Sequence, residues 1–177
     1  MTAALPQEPA TEAWLDIVRQ NVPFVAVDLP HSWTVWVKRV LLQADEVVVT
    51  AVPDLANLRN AKNLIDLLKQ SRSNDGPPRL VINMAKTPKR PEISAREFSA
   101  ALDLTPSQII EFDSETFGLA SNNGQMIEEF SAKAKSAQQF RELALLLAHR
   151  REQKDDKKKP SALAPFAPIL EKLKLKR

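Results

Sequence analysis

Two polar residues stand directly behind short apolar runs, where an open α/β sheet would present them to a ligand. Asp28 closes Phe24-Val25-Ala26-Val27-Asp28-Leu29-Pro30, and Asn83 follows Leu80-Val81-Ile82. Four consecutive apolar residues suit a strand buried on both faces of a parallel sheet, and Pro30 cannot continue its ladder. The chain is therefore expected to turn at Asp28, leaving the carboxylate at the carboxyl end of a central strand, where such sheets bind their ligands. Aspartate there serves magnesium or its waters in phosphate-handling proteins, or it merely caps the following turn.

The elements that would position these residues follow from the periodicity. Residues 11–20, with Thr11 as cap, space Trp14, Ile17 and Val18 for a short amphipathic helix. After the Phe24–Asp28 strand, Ser32 is expected to cap a helix carrying Trp33, Trp36, Val37, Val40 and Leu41 on one side. The two tryptophans read as core or partner contacts. Glu46–Ala51 forms a second strand, and Pro53-Asp54 ends it and caps a helix striped by Leu55, Leu58, Ala61, Ile65 and Leu68. Asn74-Asp75-Gly76-Pro77-Pro78 is a loop, Leu80–Ile82 a third strand, and Lys86–Pro91 a proline-broken segment. Ser94 and Glu97 then form a capping box. Ile109–Phe112 is a fourth strand ending at Asp113, and Met126, Ile127, Phe130, Ala134, Ala137, Phe140, Ala144 and Leu147 stripe one long helix ending near His149. Strands alternating with helices imply parallel pairing, so the fold is α/β, three layers with a mostly parallel sheet of four strands between flanking helices.

Composition removes several alternatives. The chain has no cysteine and only two histidines, which excludes disulfides and thiolate metal sites and leaves no metal centre to assign. No apolar run approaches the roughly 20 residues of a membrane span. The N-terminus lacks the pattern of a signal peptide, so a cytoplasmic location is expected. The net charge of +3 hides a division: residues 150–177 hold 10 basic against 4 acidic residues, while residues 1–149 hold 15 against 18. We therefore divide the chain into a mildly acidic domain, 1–149, and a basic tail, 150–177. This distribution argues against a globular nucleic-acid-binding face. The tail opens with Arg150–Lys159, which lacks apolar residues, and later places Ile169, Leu170 and Leu173 on one helical face among Lys172, Lys174, Lys176 and Arg177. Such a segment can lie weakly on an anionic membrane or dock on a partner. Gly76, Gly118 and Gly124 are too scattered to form a phosphate-cradling loop.

The blocks FVAVDLP, ADEVVVTAVPDLANLRNAKNLIDLL, RLVINMAKTPKRPEIS and IIEFDSETFGLASNNGQMI together resemble the C-terminal half of the MinD/ParA-type ATPases. The Asn-Met after the third strand and the Lys-Arg-Pro-Glu-Ile-Ser that follows are similar to the pilus-assembly branch called CpaE/TadZ. The resemblance covers about residues 11–149. It implies a partial P-loop NTPase fold in which Asp28 ends the Walker-B-like strand near magnesium, Asn83 approaches the adenine, and Pro53–Arg59 faces the nucleotide edge. The family's phosphate loop lies well upstream of Asp-x-Pro, and only 27 residues precede Asp28 here, so that loop is expected to be missing rather than mutated. His31 and Ser32 also stand where MinD-like members often carry glycine.

The resemblance thus implies no catalytic residue and no cofactor for this chain alone. ATP and magnesium would enter only with a separate chain carrying the phosphate loop. It implies a truncated localisation protein of Flp/Tad-type pilus assembly, acting through protein partners as a homodimer or with an upstream half-chain. The alternative is half of a split ATPase. Its tail also resembles the C-terminal membrane-targeting helix of MinD, which would put the protein at the inner membrane face. Loss of an interior strand would expose neighbouring strand edges to pairing with another chain.

Overall fold

A computed structural model describes residues 8–149; the tail and its amphipathic segment lie outside the described residues. The order is α1 (Glu8–Asn21), α2 (Val35–Gln43), β1 (Val48–Ala51), α3 (Leu55–Ser71), β2 (Arg79–Ala85), α4 (Ala95–Leu102), β3 (Pro106–Glu111), α5 (Ser114–Asn122), α6 (Ile127–Phe130) and α7 (Lys135–Leu147). The strands form one parallel sheet in the order β1-β2-β3. The α/β class and parallel pairing stand as expected, with three strands among the described residues instead of four.

The sheet is held by side chains that alternate in and out along each strand. Val49 and Ala51 lie beside Leu80 and Ile82 in the register, and all four pack with Ala61, Ile65 and Leu68 of α3 and Phe98 and Leu102 of α4. Ile65, Leu80, Ile82, Phe98 and Leu102 are fully buried. On the opposite face Val81 and Ile110 are buried, and Gln108 Nε2 of β3 donates to Glu142 Oε2 of α7 at 3.0 Å. Helices therefore cover both faces over β2, as a parallel interior strand requires.

Local chemistry sets the helix starts. Asp54 Oδ1 accepts from the Asn57 N–H at 2.8 Å and starts α3. The Ser94–Glu97 capping box forms: Ser94 Oγ accepts from the Glu97 N–H, and Glu97 Oε2 accepts from the Ser94 N–H, both at 3.2 Å. Asp113 Oδ1 accepts from the Thr116 N–H at 2.9 Å and starts α5.

Three expectations are corrected. The run Phe24–Asp28 is not a strand: residues 24–30 are irregular, Phe24 is 61% exposed and Val27 41%. Its apolar composition permits a strand, but a strand exists only where a neighbour accepts its hydrogen bonds, and the ladder of the described residues begins at β1. α2 is capped by Thr34, not Ser32, and Trp33 therefore precedes the helix and is 62% exposed. The long C-terminal helix is two helices, broken over residues 131–134. Met126 sits at the cap of α6 and is 66% exposed, so the apolar stripe is not continuous core.

Candidate functional site at the carboxyl edge of the sheet

Parallel strands deliver their following loops to one edge. Here that edge gathers Val52-Pro53-Asp54 after β1, Lys86–Ser94 after β2, and Phe112-Asp113 after β3. Two backbone bonds tie the loops together: the Ile93 N–H donates to Pro53 O at 2.9 Å, and the Phe112 N–H to Ala85 O at 2.8 Å. A cleft of about 600 Å³ opens there, bordered by Pro53, Lys86, Glu92, Ile93, Glu111 and Lys135.

The end of β2 and the segment after it hold three of the five non-glycine residues with positive φ among the described residues. Met84, Lys86 and Lys89 have φ of 52°, 61° and 61°, a left-handed region that disfavours side chains. Glu92 holds it: Oε2 accepts from the Lys86 N–H and Oε1 from the Thr87 N–H, each at 2.8 Å. Arg90 Nη2 bonds Glu92 Oε1 at 2.9 Å and also donates to Met84 O, while Thr87 Oγ1 donates to Met84 O at 2.8 Å. The bond from the Lys86 amide is the main reason that the Glu92 carboxyl sits below its usual range, and Arg90 adds to it. The Asn57 amide likewise lowers Asp54, with a smaller contribution from Arg90.

A second carboxylate bridges two strands' loops. Glu111 Oε1 accepts from Lys135 Nζ at 2.8 Å and from Lys86 Nζ at 2.7 Å, and these bonds lower its pKa to about 2. At this edge two lysines thus share one carboxylate, Glu111, and Arg90 is paired with Glu92. None of its three loops contains a glycine, so nothing there lets the backbone wrap a phosphate. The arrangement can present a polar surface to a partner, braced by the Glu92 and Glu111 bonds.

The residues singled out in the sequence fare differently. Asn83 lies inside β2, two residues before its end, and its Oδ1 accepts from the Met84 N–H at 2.8 Å. Its side chain thus braces the first left-handed residue of the loop. Asp28 is exposed in irregular chain, and no strand carries it to the sheet edge. Pro53 is buried at the edge, whereas the Asp113 carboxylate is spent on capping α5. Lys86, Arg90, Glu92, Glu111 and Lys135 were not foreseen. The signal was the alternation of charge and proline in Lys86–Glu92, whose pairings only the fold reveals.

The architecture defines a class: an α/β fold of the MinD/ParA type. The crystal structure of a ParA family ATPase from Chlorobium tepidum TLS matches with a TM-score of 0.66 and 21% identity, over 78% of this chain and 56% of that one. The MinC:MinD cell division protein complex of Aquifex aeolicus matches with a TM-score of 0.63 and 17% identity, over 81% and 58%. In sequence, the septum site-determining protein MinD of Bacillus subtilis (strain 168) is 33% identical over 66 residues, 37% of this chain and 24% of that protein. No protein-family model matches. The chain thus spans about a quarter of its curated relative in sequence and little more than half of each solved chain in structure.

Proposed function

We propose that this chain is a partner-binding component of a CpaE/TadZ-like, Flp/Tad-type pilus-assembly system, serving localisation and not hydrolysing ATP by itself. Its Asn-Met and Lys-Arg-Pro-Glu-Ile-Ser blocks support the branch. The observation that carries the lack of autonomous catalysis is the Glu111 bridge. Lys86 and Lys135, cations that could face a phosphate at this edge, are both engaged by one carboxylate, and no glycine-rich loop accompanies them. The protein acts in the cytoplasm, with its basic tail able to touch the inner membrane face. Among the described residues no helix is long and apolar enough to cross a membrane. Titration of the purified chain with ATP and magnesium, read by calorimetry and phosphate release, is expected to give neither saturable binding nor turnover. Saturable binding would overturn this reading.

A second reading has its own support in the open outer edge of β1. On that reading the chain is one half of a split MinD/ParA-type ATPase, with Asp28 and Asn83 near nucleotide and magnesium once a phosphate-loop chain binds. Mixing the chain with such a polypeptide should then create magnesium-dependent hydrolysis that neither component shows alone, and no gain on mixing would eliminate it.

A further inference from the structure

Helices α5 and α6 carry an acidic surface. Residues 97–132 contain seven Asp and Glu and no Lys, Arg or His, and four of the seven, Asp113, Glu115, Glu128 and Glu129, lie on these helices or cap α5. Of the cations on α7, Arg141 is held by Glu128 and Lys135 by Glu111, whereas Glu115 and Glu129 form no ion pair among the described residues. The same surface is apolar in part. Half of α6 is Ile127 and Phe130, yet the helix has no buried residue, and Met126 at its cap is exposed. Leu119 is 44% exposed one turn beyond Glu115 on α5. Phe140 of α7 meets Phe117 of α5 edge to face, ring centres 6.3 Å apart, and is still 41% exposed.

A segment of opposite charge and matching apolar character follows in the same chain. Residues 150–177 hold 10 basic against 4 acidic residues and set Ile169, Leu170 and Leu173 among lysines. The fold fixes where that segment leaves. α7 starts at the carboxyl edge of the sheet, where Lys135 bonds Glu111, and the chain after it reaches the amino edge, where His149 Nε2 lies 3.4 Å from Glu46 Oε1. The way back along α7 is about 20 Å, while residues 150–159 span about 33 Å when extended. The tether therefore suffices to bring the apolar residues beside α5 and α6. It holds them there at an effective concentration on the order of mM, which favours this segment over a separate chain. We propose that residues 161–177 dock on the α5–α6 surface of their own domain, the lysines facing Glu115 and Glu129 and the apolar side chains facing Leu119, Met126 and Phe140. This goes beyond the reading above, which gives the tail a membrane contact only.

The chain has no cysteine, so Ala167→Cys gives the full-length protein a single site for a nitroxide spin label. Compared with the reduced label, the amide NMR signals of Leu119, Met126 and Glu129 should lose about half of their intensity or more, as a tether of this length predicts, while those of Lys62 and Lys69 on α3 keep theirs. Leu170→Ser with Leu173→Ser, and separately Glu115→Gln with Leu119→Ser, should each restore the lost signals. No loss at these amides, equal loss over the whole domain, or loss undiminished in the Leu170→Ser, Leu173→Ser chain overturns the proposal. That tail variant leaves the domain sequence intact, so it decides even if the substituted α5 does not fold. A mixture of isotope-enriched chain without label and spin-labelled chain without enrichment should show no loss. Loss in the mixture equal to that in the single chain would overturn the proposal in favour of a second copy. Co-sedimentation with phosphatidylglycerol vesicles tests the membrane contact separately, because a chain that binds no vesicle still shows the intramolecular loss.

Discussion

Residues 48–111 and residues 8–47 are both rich in apolar runs, helices and prolines, but they build different kinds of surface. In the first region each strand finds a neighbour, and its side chains close a core in which Ile65, Leu80, Ile82, Phe98 and Leu102 show no exposed surface. In the second, Phe24-Val25-Ala26-Val27 has strand composition and no place in the ladder, and Trp14, Ile17, Phe24 and Trp33 are more than half exposed. The difference teaches that composition licenses burial and pairing completes it.

Substitutions can break that contrast. Phe98→Ala should cost about 3–5 kcal/mol, the range for emptying a fully buried aromatic site, whereas Trp33→Ala should stay within about 0.5 kcal/mol. Urea unfolding of both variants checks this, and comparable losses would erase the distinction between the regions. Asp54→Ala removes the α3 cap where that helix enters the core and should cost about 1 kcal/mol, with Asp54→Asn recovering most of it. Thermal melts that leave Asp54→Ala unchanged would show that the cap is redundant.

The sheet edge predicts a pH effect whose sign follows from Glu111. Its folded pKa of about 2 lies below the ordinary glutamate value of about 4.5, so the stability it contributes is present above about 4.5 and lost as the pH falls toward about 2. Carbon-detected NMR titration should show this depressed carboxyl, and Lys135→Ala or Lys86→Ala should move its pKa upward. An ordinary Glu111 titration in the unsubstituted protein would remove the bridge from the account. A gain in stability is expected at the end of α4, where Asp103 occupies the left-handed cap position with φ of 52°. Asp103→Gly relieves that conformation and should stabilise the protein by about 0.5–1 kcal/mol, read as a raised melting temperature. A lowered one would contradict the cap assignment.

What was legible in the sequence divides along the same line. Helix starts governed by local chemistry, at Asp54 and at the Ser94–Glu97 box, were readable because donor and acceptor lie three residues apart. The three paired strands were readable because their apolar runs are bounded by turn residues. Phe24–Asp28 was misread because nothing within those residues reports whether an edge is available to them. The Glu92 and Glu111 networks join residues 2 to 25 positions apart in sequence, and no periodicity announces such pairs.

The central claim is that the described sheet begins at β1 and that the Phe24–Asp28 run before it takes no part in the ladder. Amide hydrogen exchange on the unbound protein tests it most directly. Leu80, Val81 and Ile82 should exchange only through global unfolding, while Val25–Asp28 should exchange orders of magnitude faster, near the rate of open chain. Equal protection of the two segments would mean that Phe24–Asp28 is a paired strand after all, and would contradict the account.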